Sequence, residues 1–236
     1  MAEFEIDGIR LDVPDEMLNP KLTGKLSTGG YEAHEAHAAR MRLREGQRVL
    51  ELGSGIGYIA SVCSSITGPE NVTTVEANPD MLPVIRGNLE RNGFAAVTVL
   101  HGAVGGMKST PDPIEFDTKK TFWAARLADM DSAPDAVVSV PHLGLGDLLK
   151  ACRPHVVIMD IEGAEEHLFD APWPAYIRAV MLELHPGRYS DVVIKRIVDC
   201  MSDSGLTYDP GSSRGRILGF RRVRDGNPES MKKRGP

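Results

Sequence analysis

Val49-Leu50-Glu51-Leu52-Gly53-Ser54-Gly55-Ile56-Gly57 places an apolar run, an acid and three alternate glycines ahead of a helix-compatible segment. The pattern reads as a strand, a tight turn and a helix N-terminus. Glycines there let the backbone take positive φ and let a ligand approach with no Cβ in the way. A dinucleotide turn needs G-x-G-x-x-G, and counting from Gly53 puts Tyr58 where the third glycine belongs. The third glycine comes early instead, at 57. An acid at 51 would repel a pyrophosphate but suits a cationic amino-acid headgroup. S-adenosylmethionine carries an ammonium and a sulfonium and no phosphate, so it is the expected ligand; a purely structural turn is the alternative.

Downstream, Val72-Thr73-Thr74-Val75-Glu76 is a β-branched run ending in an acid, 19 residues after Gly57 and followed by Ala77. In a βαβ unit that acid stands at the end of the second strand and can accept hydrogen bonds from ribose hydroxyls. A third strand over Val97 to Leu100 leads into His101-Gly102-Ala103, where Gly102 and Ala103 leave room for an adenine plane. A loop without ligand contact fits those two residues equally. Before the first strand, Ser27-Thr28-Gly29-Gly30-Tyr31-Glu32 enters a helix over 32–43. Such a segment can close over a bound cofactor with Tyr31 and Glu32, or Tyr31 can simply pack.

Two later strand ends carry acids. Val156 to Asp160 runs into Ile161-Glu162-Gly163-Ala164-Glu165, and Ala179 to Leu184 carries Glu183 and His185 at its end. Open parallel sheets bind ligands at such carboxyl ends. Asp160 and His185 are the candidate general bases, with Glu183, two residues from His185 and expected on the same face, orienting the imidazole. No metal-ligand spacing is present; a divalent metal held by Asp160 and Glu162 is a weaker variant of the mechanism. His34 and His37 read as solvated helix residues, since their spacing is not that of H-E-x-x-H.

The 236 residues carry a net charge of −6 and 42% hydrophobic side chains, enough for one medium α/β domain. We expect an N-terminal hairpin extension over 1–26, turning at Asp7-Gly8, a main domain over 27–224 and a flexible tail over 225–236. A polar connector separates hairpin and domain. Residues 107–142 interrupt the α/β rhythm as an insertion or lid, in which Phe122 and Trp123 either line an acceptor pocket or pack in the core. The acidic balance argues against a nucleic-acid partner. No apolar run is long enough for a membrane span, and the acidic start lacks the basic region of a signal peptide, so a cytoplasmic location is expected. Cys63, Cys152 and Cys200 suggest neither disulfides nor zinc. A homodimer is possible through the hairpin or the insertion.

Four stretches, GGYEAHE, VLELGSGIG, VTTVEANP and MDIEGAEEHL with LELHP after it, resemble the FkbM family of S-adenosylmethionine-dependent methyltransferases over roughly residues 4–223. The resemblance implies an α/β, Rossmann-like class I fold with a seven-stranded sheet in the order 3-2-1-4-5-7-6. It also implies that Glu51, Gly53, Ser54 and Gly57 hold the methionine portion and Glu76 the ribose. Tyr31 and Glu32 would cap the cofactor, with Asp160 beside the transferring methyl. The implied reaction is O-methylation of a small hydroxylated or carboxylated metabolite. N-methylation of a small amine or peptide, and a non-catalytic S-adenosylmethionine-binding module, are the alternatives.

Overall fold

Asp7 and Gly8 both take positive φ, 51° and 81°, which closes strands β1 (Ala2–Ile6) and β2 (Ile9–Val13) into the expected two-residue hairpin. A computed structural model of the chain describes residues 1–118, 126–127 and 137–224. Phe122, Trp123 and the residues from 225 onward lie outside these. The expected polar connector after the hairpin contains a helix instead, α1 (Pro20–Ser27). Its signals are local: the Asn19 side chain accepts from Leu22 N at 2.9 Å, and Pro20 takes the first helical position.

Helix α2 (Ala33–Arg42) then leads into alternating strands and helices: β3 (Val49–Leu52), α3 (Tyr58–Thr67), β4 (Val72–Glu76), α4 (Met81–Arg91) and β5 (Thr98–His101). β6 (Ala103–Val104) precedes the insertion, which contributes β7 (Ile114–Asp117), β8 (Arg126–Leu127) and β9 (Val137–Val140), and β10 (His142–Leu143) lies at its end. In it β7 pairs antiparallel with β8 and β9, while β6 and β10 run parallel. The chain finishes with α5 (Leu145–Cys152), β11 (Val156–Met159), β12 (Ala179–Glu183), α6 (Asp191–Asp203), β13 (Leu206–Tyr208) and β14 (Ile217–Arg222).

The main sheet has the order β5-β4-β3-β11-β12-β14-β13, which in its own strand count is 3-2-1-4-5-7-6. Only β14 runs against the rest. This is the class I methyltransferase sheet.

Strand periodicity then decides which side chains meet. Leu50, Leu52, Val157, Met159, Val180 and Leu182 face one core with α5 and α6. Val49, Val156, Ile158, Ala179 and Met181 face the other, with α1 to α4 and the hairpin. Glu51, Thr74 and Glu183 share this second face by the two-residue repeat. Burial on both faces is why the parallel strands read as near-continuous apolar runs.

The hairpin belongs to that second core, since Ile6, Ile9, Leu11 and Val13 are all buried within it. Its open edge is tied down by two asparagines of and just after α4: Asn92 accepts from Arg10 N at 3.0 Å and donates to the Arg10 carbonyl at 2.7 Å, and Asn88 reaches on to the glycine turn. Asn88, 1% exposed, accepts from Asp12 N at 2.7 Å and donates to the carbonyls of Asp12 at 3.1 Å and Ile56 at 2.9 Å. Helix α4 thereby joins the edge of β2 to the glycine turn. Asn88→Ala orphans these groups, and equilibrium denaturation should show a loss of about 3 kcal/mol.

Candidate active site

The glycine turn is shaped by what presses on it. Gly53, at φ 88°, lies so close to the next strand end that a Cβ there would stand 1.9 Å from the Asp160 carbonyl. A Cβ at Gly55, φ 53°, would meet the Tyr31 hydroxyl at 2.8 Å and Glu32 Oε1 at 3.2 Å. Tyr31 and Glu32 therefore lie directly over the turn. Glu32 holds this place at φ 44°, an unfavoured value for a non-glycine residue. The Tyr31 hydroxyl is buried and has no hydrogen-bond partner among the described residues.

Glu76 ties the turn to the neighbouring strand. Its Oε2 accepts from Ser54 N at 3.1 Å and Gly55 N at 3.2 Å, and its Oε1 accepts from Asn78 N at 2.8 Å. Burial nevertheless outweighs these bonds and raises its pKa to about 7. Glu76 also lines a cavity of about 710 Å³ of non-atom space with Tyr31, Glu32, Gly53, Gly55, Val75, Ala77, Gly102, Ala103, Val104, Phe116, Asp160, Ile161, Glu162 and Ala164.

Of the residues expected to hold the cofactor, Tyr31, Glu32, Gly53, Glu76, Ala77, Gly102, Ala103 and Asp160 are on this wall. Glu51, Ser54 and Gly57 are not. Glu51 is 1% exposed beneath the floor, where Thr74 Oγ1 donates to it; burial lifts its pKa to about 8. The inward face of β3 carries it under α3, so its expected contact with the methionine portion is corrected to support from below. Ser54 turns its hydroxyl to Thr74, and Gly57 opens α3 against Ile85. Gly55, which the spacing argument passed over, is the second glycine of the wall. Val75, Val104, Phe116, Ile161 and Ala164 were also missed, since nothing local distinguishes them from core residues.

A second cavity adjoins the first and shares Tyr31, Glu32, Asp160 and Glu162 with it. Its further lining includes Lys21, Lys25, His34, Glu35, Glu183 and Arg216, so it opens between α1, α2 and the turn before β14. Glu183 forms an ion pair with Arg216 here. That corrects its expected role: it does not orient His185, because β12 ends at Glu183 and the chain turns away. His185 is 5% exposed and lies behind both cavity walls, with Nε2 3.4 Å from Asp160 Oδ1 and 3.6 Å from Glu162 Oε2. Its Nδ1 faces Glu165 Oε1 at 3.2 Å. Burial lowers its pKa, yet the carboxylates led by Glu165 more than offset this and the net shift is upward. Burial likewise pushes the Asp160 and Glu32 carboxyls well above the ordinary range, with neighbouring acids adding to it.

Sheet order, glycine turn and strand-end acids define the fold class: this is the class I methyltransferase fold. The family whose model matches is "Protein-L-isoaspartate(D-aspartate) O-methyltransferase", over residues 30–117. A protein-L-isoaspartate O-methyltransferase of Methanococcoides burtonii is 44% identical over 62 residues, 26% of this chain and 30% of that protein. One of Methanocella arvoryzae is 35% identical over 94 residues, 39% of this chain and 45% of that one. The chain thus spans less than half the length of these relatives. Among solved structures, precorrin-6y C5,15-methyltransferase of Geobacter metallireducens aligns with a TM-score of 0.48 at 14% identity, covering 90% of this chain and 94% of that one. A Bacillus cereus O-methyltransferase bound to S-adenosylhomocysteine (SAH) aligns with a TM-score of 0.43 at 12% identity, covering 89% and 84%.

These findings correct two expectations. The matching family is the isoaspartate methyltransferases, not FkbM: GGYEAHE, VLELGSGIG and VTTVEANP all fall within or at the edge of the matched stretch, and these cofactor-binding elements recur across the class. The small-molecule acceptor is overturned with it, since the names of that family and its members specify a protein. No helix among the described residues is long and apolar enough to cross a membrane.

Both buried acids ionise at higher pH in the fold than their ordinary value of 4.5. Their contribution to stability is therefore complete below about 4.5 and is lost as pH rises through about 7 for Glu76 and about 8 for Glu51. Denaturation midpoints of the cofactor-free protein should fall between pH 5 and 8.5, and Glu51→Gln should flatten the upper part of that fall. By calorimetry, Glu51→Gln should keep S-adenosylmethionine affinity within about twofold, while Glu76→Gln should lose tenfold or more, about 1.4 kcal/mol.

Proposed function

We propose that this chain transfers the methyl group of S-adenosylmethionine to a carboxylate oxygen of a protein or peptide, an isoaspartyl residue being the acceptor. The observation that carries this reading is the match to isoaspartate methyltransferases over residues 30–117. A hydroxyl acceptor needs a base within reach of its proton; the imidazole of His185 is buried behind Asp160 and Glu162, which leaves Asp160, on the wall of both cavities, as the base for such an acceptor. A carboxylate needs no base. It is ionised at neutral pH, its oxygen forms the bond to the methyl carbon, the carbon–sulfur bond breaks, and its electron pair stays on sulfur. The products are a methyl ester and SAH. Catalysis then consists mainly of holding oxygen, methyl and sulfur in line.

The second cavity supports an acceptor of this kind. It meets the cofactor cavity at Tyr31, Glu32, Asp160 and Glu162 and opens to the surface past the exposed side chains of Lys21, Lys25 and Arg216. Cations on a rim steer an anionic group inward and oppose a cationic one. The match to isoaspartate methyltransferases over residues 30–117 supports the acceptor class.

The test is transfer of labelled methyl to a peptide carrying isoaspartate, beside its aspartyl twin. Base-labile label on the first and little on the second is the expected result; label that survives base, on nitrogen or on an ether oxygen, would refute the reading. Lys25→Glu reverses a rim charge, and its KM for the isoaspartyl peptide should rise about tenfold with kcat within about twofold.

A further inference from the structure

The inner end of the second cavity poses a charge problem. Glu32, Glu35, Asp160, Glu162 and Glu183 all line it, and a carboxylate acceptor would add another negative charge. Glu183 is paired with Arg216, whereas Asp160 and Glu162 have no lysine or arginine closer than 4.0 Å among the described residues. The side chains of Asp160, Glu162 and His185 supply a solution, since their donor atoms all lie within 4.8 Å of one another. We propose that Asp160, Glu162 and His185 form a binding site for a divalent cation of the Mn²⁺ or Mg²⁺ class at the junction of the two cavities.

Geometry supports it first. A cation with donors at about 2.0–2.2 Å sets neighbouring donors roughly 3 to 4.4 Å apart. His185 Nε2 stands 3.4 Å from Asp160 Oδ1 and 3.6 Å from Glu162 Oε2. The Asp160 Oδ1 atom is buried with no hydrogen-bond partner among the described residues.

A second, independent observation is the support behind the imidazole. Glu165, fully buried, accepts from Ile161 N at 3.1 Å and Gly163 N at 2.8 Å, and the same carboxylate lies 3.2 Å from His185 Nδ1. His185 Nδ1 makes no hydrogen bond among the described residues, but the Glu165 carboxylate facing it favours a proton on that nitrogen and leaves the Nε2 lone pair toward Asp160 and Glu162. His185 is 5% exposed, so its ring is locked toward Asp160 and Glu162. Glu162 is delivered by a turn at φ 54°, followed by Gly163 at φ 110°. Arg188 reaches Glu162 only at 4.0 Å.

Two oxygens and one nitrogen suit a hard or borderline divalent ion with positions left for water or acceptor oxygens. That the cation then neutralises the pocket for an incoming carboxylate rests on the reading of the acceptor given above. The site itself does not.

The probe is Mn²⁺, titrated into the full chain with SAH present and followed by electron paramagnetic resonance. One site per chain is expected, with a nitrogen coupling in the echo-modulation spectrum that His185→Gln removes. Glu162→Gln should weaken Mn²⁺ at least tenfold. Glu183→Gln, outside the proposed set, should change it by less than about twofold. Should His185→Gln not fold, Glu162→Gln, on a partly exposed turn, carries the test. No stoichiometric binding at millimolar Mn²⁺, no nitrogen coupling, or a Glu183→Gln loss equal to that of Glu162→Gln would overturn the site. If Mn²⁺ binds and the isoaspartyl peptide is not methylated, the cation site stands and the acceptor reading falls. The reverse result leaves the acceptor reading and removes the site.

Discussion

The Glu76 carboxylate is the clip on which the cofactor half of the molecule depends. It takes three backbone N–H bonds, two from the turn after β3 and one from the loop after β4. Without it, the glycine turn would leave buried donors unpaired, which is costly in a low-dielectric interior. A carboxylate offers about four acceptor positions. Three are occupied by the protein itself, so a ribose bound at Glu76, as proposed, would meet a group already aimed and nearly saturated. Rigidity of the turn and recognition of the ligand are thus two uses of one side chain.

A second constraint follows from strand periodicity. Glu51 on β3, Thr74 on β4 and Glu183 on β12 point to the same side of the sheet, and Asp160 follows β11 in the same phase. Helix α2 crosses over that side with Glu32 and Glu35. The fold therefore brings Asp160 and Glu183 from two strand ends up to the acids at the start of α2. Burial and mutual repulsion hold Asp160 and Glu32 well above the usual carboxyl range and bring Glu35 to about 7. Such a pocket is built for positive charge, which the sulfonium supplies in part and the proposed cation completes.

His185 shows how a sound local argument reaches the wrong partner. Two residues apart on an ideal strand, Glu183 and His185 would share a face. The strand stops at Glu183, the chain turns, and His185 finds Asp160, Glu162 and Glu165 while Glu183 pairs with Arg216. Families that share the cofactor elements differ in what lies beyond them, and the matched stretch ends at residue 117, well before Asp160.

By itself, the sequence determined the β–turn–α unit, the strand-end place of Glu76, the buried strands and the hairpin; the order of the seven strands came only with the resemblance to methyltransferases. Those signals are local: glycines where the backbone must bend or be approached, apolar runs where both faces are buried, and Asp-Gly where a hairpin turns. Only the tertiary structure decided that Glu51 supports the floor instead of touching the ligand, that Asn88 joins the hairpin to the glycine turn, and that Asp160, Glu162 and His185 converge. These depend on contacts between segments tens of residues apart, and on where each strand stops. A single residue of strand length changes the face a side chain presents, and no local pattern encodes that length to within one residue.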